Sequence, residues 1–279
     1  MLQDKPPGHS AVIISYMVEY IDIGVNLTGS SFSEDRDEVI HRALAAGVRQ
    51  MVVTGTDIGH SQSAIDLCQQ YPGSLYSTAG VHPHHADEYT SDTARLLREL
   101  SEHESVVAIG ECGLDFNRNF STPDNQRRAF ESQLELAVAS KKPVFLHQRD
   151  AHDEFVGMIA QCRTQLGNAV AHCFTGSAAE VIDYLEMDMY IGVTGWICDE
   201  RRGGDLRQAV KEIPVERILL ETDAPYLLPR DLNEKPVISR RNEPCYLPHI
   251  CAVVARYMDI APEELARVST ENARKFFSL

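Results

Sequence analysis

Residues 106–150 read VVAIGECGLDFNRNFSTPDNQRRAFESQLELAVASKKPVFLHQRD. Two β-rich runs, 106–115 and 143–150, flank a stretch (123–141) in which Ala, Leu and Val mix with charged residues at helical spacing. Strand, helix and strand in that order make a parallel βαβ unit, because only a crossover of this length carries the chain back to start a parallel neighbour. Each run also holds a polar side chain near its end, Glu111 in the first and His147 in the second. A parallel strand is buried on both faces, so these two residues need a reason to be there.

The unit repeats along the chain. Further β-rich runs at 19–27, 50–56, 75–83, 169–176, 189–196 and 217–226 bring the total to eight, separated by helical stretches at 34–47, 59–71, 92–103, 151–166, 177–187 and 204–213. Eight such units predict a closed (β/α)8 TIM barrel. An open doubly wound sheet gives a similar alternation, but its Gly-rich phosphate loop is missing after the first run, where DIGVNLTGS stands. Past the eighth run a Pro-rich loop (227–244) leads to extra C-terminal helices near 246–258 and 262–277. With no linker or repeat, the reading is one domain over 18–279, preceded by a leader (1–17) expected to be poorly ordered.

Of the 279 residues, 43% are hydrophobic and 24% charged, the proportions of a globular enzyme. No apolar run approaches the roughly 20 residues that cross a bilayer, so no membrane partner is expected. Seven cysteines without CxxC pairing form neither a disulfide framework nor a zinc-finger pattern, and they point to a reducing cytoplasm. A formal net charge of −15 argues against a broad basic face of the kind that coats duplex nucleic acid. A cation bound at one point would supply local positive charge instead.

Asp22, Asn26, His82, Glu111, His147, His172 and Asp223 all fall near the C-terminal ends of the runs, the end at which barrel enzymes build their sites. Two imidazoles and two carboxylates from Glu111, His147, His172 and Asp223 suit a divalent cation, Mg²⁺, Mn²⁺ or Zn²⁺. Without one, buried carboxylates brought together repel. Strand alternation predicts that Cys112 and Cys173 point away toward the helices as core. His82 reads equally as ligand, phosphate contact or loop residue, and His84 and His85 as surface. Arg149, two positions past His147, is expected to clamp a phosphate. Trp196 either stacks on an unpaired base or caps the core. Arg241 is read as a substrate contact within the basic residues that follow the seventh and eighth runs, while Arg201 and Arg230 are read as solvated.

The motifs AGVHPH (79–84), GECGLDF (110–116), HQRDAH (147–152), HCFTG (172–176), ETDAPYL (221–227) and RRNEP (240–244) resemble those of the TatD family of metal-dependent deoxyribonucleases, within the amidohydrolase-like barrel superfamily. The resemblance runs from Asp22 to about Phe277. It implies metal-dependent hydrolysis of DNA from the 3′ end of single strands, with RNA as a further substrate. It also implies that Glu111, His147, His172 and Asp223 are ligands, with Asp223 as general base and Glu111 as its catalytic companion, and that His82 lies close to the scissile phosphate. Many members carry Asp-x-His-x-His in the first strand. This chain has Asp22-Ile23-Gly24-Val25-Asn26, as a sub-branch with DIGVNLT does. Fewer imidazoles shift the expected cation toward Mg²⁺ and leave open whether one or two ions bind. A monomer is expected. The rival readings are a small-molecule amidohydrolase on the same barrel and a catalytically silent metal-binding barrel.

Overall fold

The computed structural model describes residues 18–232, 236 and 238–279, and the leader expected at 1–17 lies outside them. Among the described residues, the chain alternates β1 (Tyr20–Val25), α1 (Arg36–Ala45), β2 (Val48–Val53), α2 (Ile58–Gln70), β3 (Leu75–Ala79), α3 (Ser91–Ser101), β4 (Val106–Asp115) and α4 (Pro123–Ser140). It continues with β5 (Val144–Arg149), α5 (His152–Cys162), β6 (Ala169–Ala171), α6 (Ala178–Glu186), β7 (Tyr190–Val193), α7 (Gly204–Ala209) and β8 (Ile218–Leu220), and ends with α8 (Leu247–Met258) and α9 (Pro262–Phe277). The strands pair in parallel in sequence order, β1 to β8.

β1 and β8 close the ring. Val25 bridges Ala224. The buried Asp22 carboxylate accepts hydrogen bonds from the Thr222 amide at 2.9 Å and hydroxyl at 2.5 Å. These bonds lace the first strand to the chain just past the last, and burial pushes the Asp22 carboxyl up to about 8. Asp22 therefore serves the seam, although its strand-end position had suggested the site.

Alternation along each strand sorts the apolar residues into two layers. Ile21, Ile23, Val52, Ala108, Phe145, Val170, Tyr190 and Leu219 form an inner cluster with Ala273, Phe276 and Phe277 of α9. Met51, Val53, Ile109, Leu146 and Ile191 belong instead to the larger cluster shared with the coating helices. The C-terminal helix thus supplies two phenylalanines to the inner core, which leaves the opposite strand ends free for a site. Helix starts are fixed by side-chain caps: Asp57 accepts from the His60 amide ahead of α2, and Ser177 with Glu180 forms a capping box on α6. No helix among the described residues is long and apolar enough to cross a membrane.

Candidate active site

Glu111, on β4, is 6% exposed and sits at the focus of three imidazoles. Its Oε1 lies 2.7 Å from His172 Nε2, 2.9 Å from His147 Nδ1 and 3.3 Å from His82 Nε2. The strand order explains this meeting, because β4, β5 and β6 are adjacent and deliver Glu111, His147 and His172 at the same end of the sheet. His82 arrives from the turn after β3, where its Nδ1 accepts from the His84 amide. That bond leaves Nε2 facing Glu111.

Burial works against charge on all these groups, and their neighbours decide the outcome. For Glu111 burial raises the pKa, but the facing imidazoles outweigh it and hold the carboxyl well below its usual range. For His172 burial lowers it, but Glu111 and Glu221 outweigh that and hold the ring well above its usual value. His82 is brought down to about 4 by burial. Asp223 is pushed up to about 7 by burial, with help from the Glu111 and Glu221 charges.

The donor set fits a divalent cation. Donor atoms of His82, Glu111 and His147 lie within 4.8 Å of one another. The second ring nitrogen of His147, Nε2, is buried without a hydrogen-bond partner among the described residues, standing 3.4 Å from Asp115 Oδ2 outside bonding geometry. Asp223 faces the same cavity, which has a volume of about 490 Å³. Its Oδ1 accepts from Asn26 Nδ2 at 3.0 Å. Buried carboxylates and imidazoles that crowd one point are what a divalent ion neutralises.

Residues 21–278 match the family described as TatD related DNase. The chain belongs to the TatD family. A relative from Pantoea sp. (strain At-9b), named 3′-5′ ssDNA/RNA exonuclease TatD, is 54% identical over 92% of this chain and 99% of its own length. Among solved structures, a TatD family hydrolase from Entamoeba histolytica is 27% identical with a TM-score of 0.86, covering 93% of this chain and 98% of that one. A TatD homologue from Escherichia coli K12 is 26% identical with a TM-score of 0.85, covering 94% and 99%. As a TatD protein, the chain is a metal-dependent hydrolase of the nuclease class on a (β/α)8 barrel.

Several TatD side chains lie where the sequence did not put them. Cys173 lines the cavity with its Sγ 3.8 Å from Asp223 Oδ2, so it is not outward core. β6 ends at Ala171 and Cys173 takes a left-handed backbone (φ 45°), so strand alternation no longer governs it. Cys112, by contrast, is buried among the coating-helix contacts as expected. His84 and His85 also line the cavity rather than the open surface, and His84 Nε2 lies 2.8 Å from Asp115 Oδ2. Arg241 is 9% exposed and is not among the residues that line the cavity. Its guanidinium is committed to Asp35 (2.6 and 2.7 Å), Glu243 (2.8 Å) and the Ser31 carbonyl (2.8 Å), and it lies over the Phe32 ring. Buried carboxylates had first claim on that charge.

Arg149 is exposed and lines the cavity, together with Arg118. Half-buried Trp196 packs on the core while lining a second lobe of about 520 Å³ that shares His147, His172 and Asp223 with the first. Arg202 lies 4.2 Å over its ring. Arg118 and Asp115 on the cavity wall escaped the sequence reading, and so did a residue behind it. Glu221, fully buried, takes the His172 Nδ1 contact at 3.2 Å and the Cys173 amide on its two oxygens. A Cβ on Gly24 or Gly192 would collide with that carboxylate, so the glycine in the first strand makes room for Glu221. The signal was present: Glu221 stands two residues before Asp223, in the same run.

Proposed function

We propose that this TatD-family chain removes nucleotides one at a time from the 3′ end of single-stranded DNA and RNA, with Mg²⁺ as its cation and Glu111, His147, His172 and Asp223 as the ligands. The observation that carries the reading is Glu111 Oε1 gathered by three imidazole nitrogens on a cavity wall that Asp223 also lines. The relatives named 3′-5′ ssDNA/RNA exonuclease support the substrate and the direction. All seven cysteines are free, which suits a reducing cytoplasm.

Held by these residues, a divalent cation would supply Lewis acidity for the scissile phosphate and lower the pKa of a water. The remaining work falls to side chains of this chain. Asp223, held by Asn26, accepts the proton of the attacking water. Glu221 fixes the His172 ring through Nδ1, so that Nε2 faces Glu111. His82, brought down by burial, is neutral at physiological pH and offers an uncharged ring beside the phosphate. Arg149 and Arg118 at the cavity wall take non-bridging phosphate oxygens. Trp196 offers a face to an unpaired base in the second lobe, a contact of about 1–3 kcal/mol.

A 5′-labelled single-stranded oligonucleotide incubated with Mg²⁺ tests the reading. The wild-type chain should give a ladder of labelled products shortening from the 3′ end, and Glu111→Ala should give none, while a hydantoin and other cyclic amides stay intact with both. Release of the label as a mononucleotide would reverse the polarity. Turnover of the amides with intact oligonucleotide would replace the nuclease reading with the amidohydrolase one. Rescue of chelated enzyme by Zn²⁺ but not by Mg²⁺ would overturn the choice of metal.

A further inference from the structure

Away from the catalytic cavity, donor atoms of Cys198, Asp231 and His249 also lie within 4.8 Å of one another. Cys198 ends the short 3-10 helix Gly195–Cys198 that follows β7, Asp231 lies in the loop after β8, and His249 is in the first turn of α8. Three separate pieces of chain thus bring a thiol, a carboxylate and an imidazole to one place. His249 Nε2 stands 2.7 Å from Asp231 Oδ1. Cys198 is 1% exposed, and burial together with the Asp231 carboxylate pushes its thiol up, against the pull of Arg207 and Arg256. Arg207 has other anchors: its Nε donates to the Ile197 carbonyl at 3.0 Å and its guanidinium lies 5.5 Å over the Tyr257 ring.

We propose that Cys198, Asp231 and His249 form a second metal site, separate from the catalytic one, for a borderline-soft divalent cation of the zinc type. A thiolate, an imidazole and a carboxylate are the three ligand types zinc takes. The thiolate distinguishes this set from the oxygen donors that Mg²⁺ prefers. Charge favours the assignment as well. One thiolate and one carboxylate balance a 2+ ion, so the loaded cluster is neutral, whereas the empty one keeps a carboxylate beside a buried thiol. Binding displaces one proton, from Cys198 to solvent. Metal–ligand bonds of about 2.0–2.3 Å place tetrahedral donors roughly 3.3–3.8 Å apart. Asp231 and His249 need only part by on the order of 1 Å to adopt that spacing. An occupied site would staple the segment after β7, which carries Trp196 two residues before Cys198, to α8.

The test uses the full chain stripped of metal and titrated with Co²⁺, whose thiolate charge-transfer absorption reports sulfur ligation directly. Cys173, next to His172 in the catalytic cavity, is the competing sulfur, and Cys173→Ser controls for it. The expected result is a charge-transfer band in the wild type, Cys173→Ser and Glu111→Ala proteins that is absent from Cys198→Ser. Zinc displaces the cobalt and raises the melting temperature of the wild type. His249→Ala removes a half-buried imidazole with little effect on folding, and it should weaken zinc binding by more than about tenfold. Absence of the band from the wild type, its survival in Cys198→Ser, or its loss in Cys173→Ser would each overturn the proposal. So would an unchanged zinc affinity in His249→Ala.

Discussion

Glu221 touches neither the open cavity nor solvent, yet both its oxygens act on the site, one through the His172 ring and the other through the Cys173 amide. Replacing it with Gln keeps the volume between Gly24 and Gly192 but removes the charge that fixes which ring nitrogen carries the proton. Outer partners of this kind typically contribute about 10–100-fold in activity or metal affinity. Glu221→Gln should therefore lower kcat on a single-stranded oligonucleotide within that range while leaving KM and the urea midpoint nearly unchanged, as steady-state kinetics and equilibrium unfolding would show. A drop in KM-limited binding alone would place Glu221 on the substrate side. Single residues were also where the sequence was hardest to read. Glu111, His147 and His172 were legible because a charged or imidazole side chain inside a doubly buried strand stands out. Glu221 was hidden beside Asp223, which had already accounted for the acidic character of the run. Cys173 misled because alternation was extended two residues past the end of its strand.

Among the elements, α1 is tied to the segment before α8 by a charge cluster rather than by apolar packing alone. Arg42 and Arg241 both bind Asp35 and Glu243, and the Glu243 side chain is fully enclosed. Truncating Arg241 to Ala leaves Glu243 with Arg42 as its one remaining cationic partner among the described residues, and breaking a buried pair in this way costs about 3 kcal/mol. The lost urea stability would be measured at neutral pH. Acid has a related effect. Hydrogen bonds from Arg241, aided by Arg42, hold the Asp35 carboxyl below its usual value. The unfolded chain therefore takes up the proton first as pH falls. The stability that Asp35 contributes is fully present above the ordinary carboxylate range, near pH 4, and is lost as the pH drops through its lower folded value. Urea midpoints followed from pH 7 to pH 3 should fall more steeply for the wild type than for Asp35→Asn, and the two should converge at the acid end. Parallel curves would show that the cluster adds no pH-dependent stability. The elements themselves were legible, since all eight strands and the coating helices lie where periodicity put them. The short 3-10 turns, such as Pro83–Glu88 and Gly195–Cys198, were not, because three to six residues carry no period. The destination of Arg241 was equally unreadable, because the sequence does not reveal that Asp35, 206 residues earlier in the chain, packs against it.

At the scale of the whole molecule, the barrel has two unlike ends. One holds the cavity, and the inner core is completed by α9, whose Phe276 is 1% exposed and meets the Tyr190 ring edge-on at 5.3 Å. Phe276→Ala should cost about 3–5 kcal/mol. The variant should melt earlier in a thermal scan yet keep its metal-dependent activity at low temperature, because the Phe276 ring lies outside the cavity lining. Loss of metal binding in a still-folded Phe276→Ala protein would show that the inner core sets ligand geometry instead. The Asp22–Thr222 seam adds a consequence in time. Glu111, His147 and His172 come from three consecutive strands, so the cation-binding cluster assembles from contacts of modest sequence separation. Asp223 joins them only when the seam closes, through contacts about 200 residues apart. Closures of such high contact order form late in folding. On the roles proposed above, a chain caught before that event would hold Glu111, His147 and His172 together without Asp223, and so would lack both its fourth ligand and its proton acceptor.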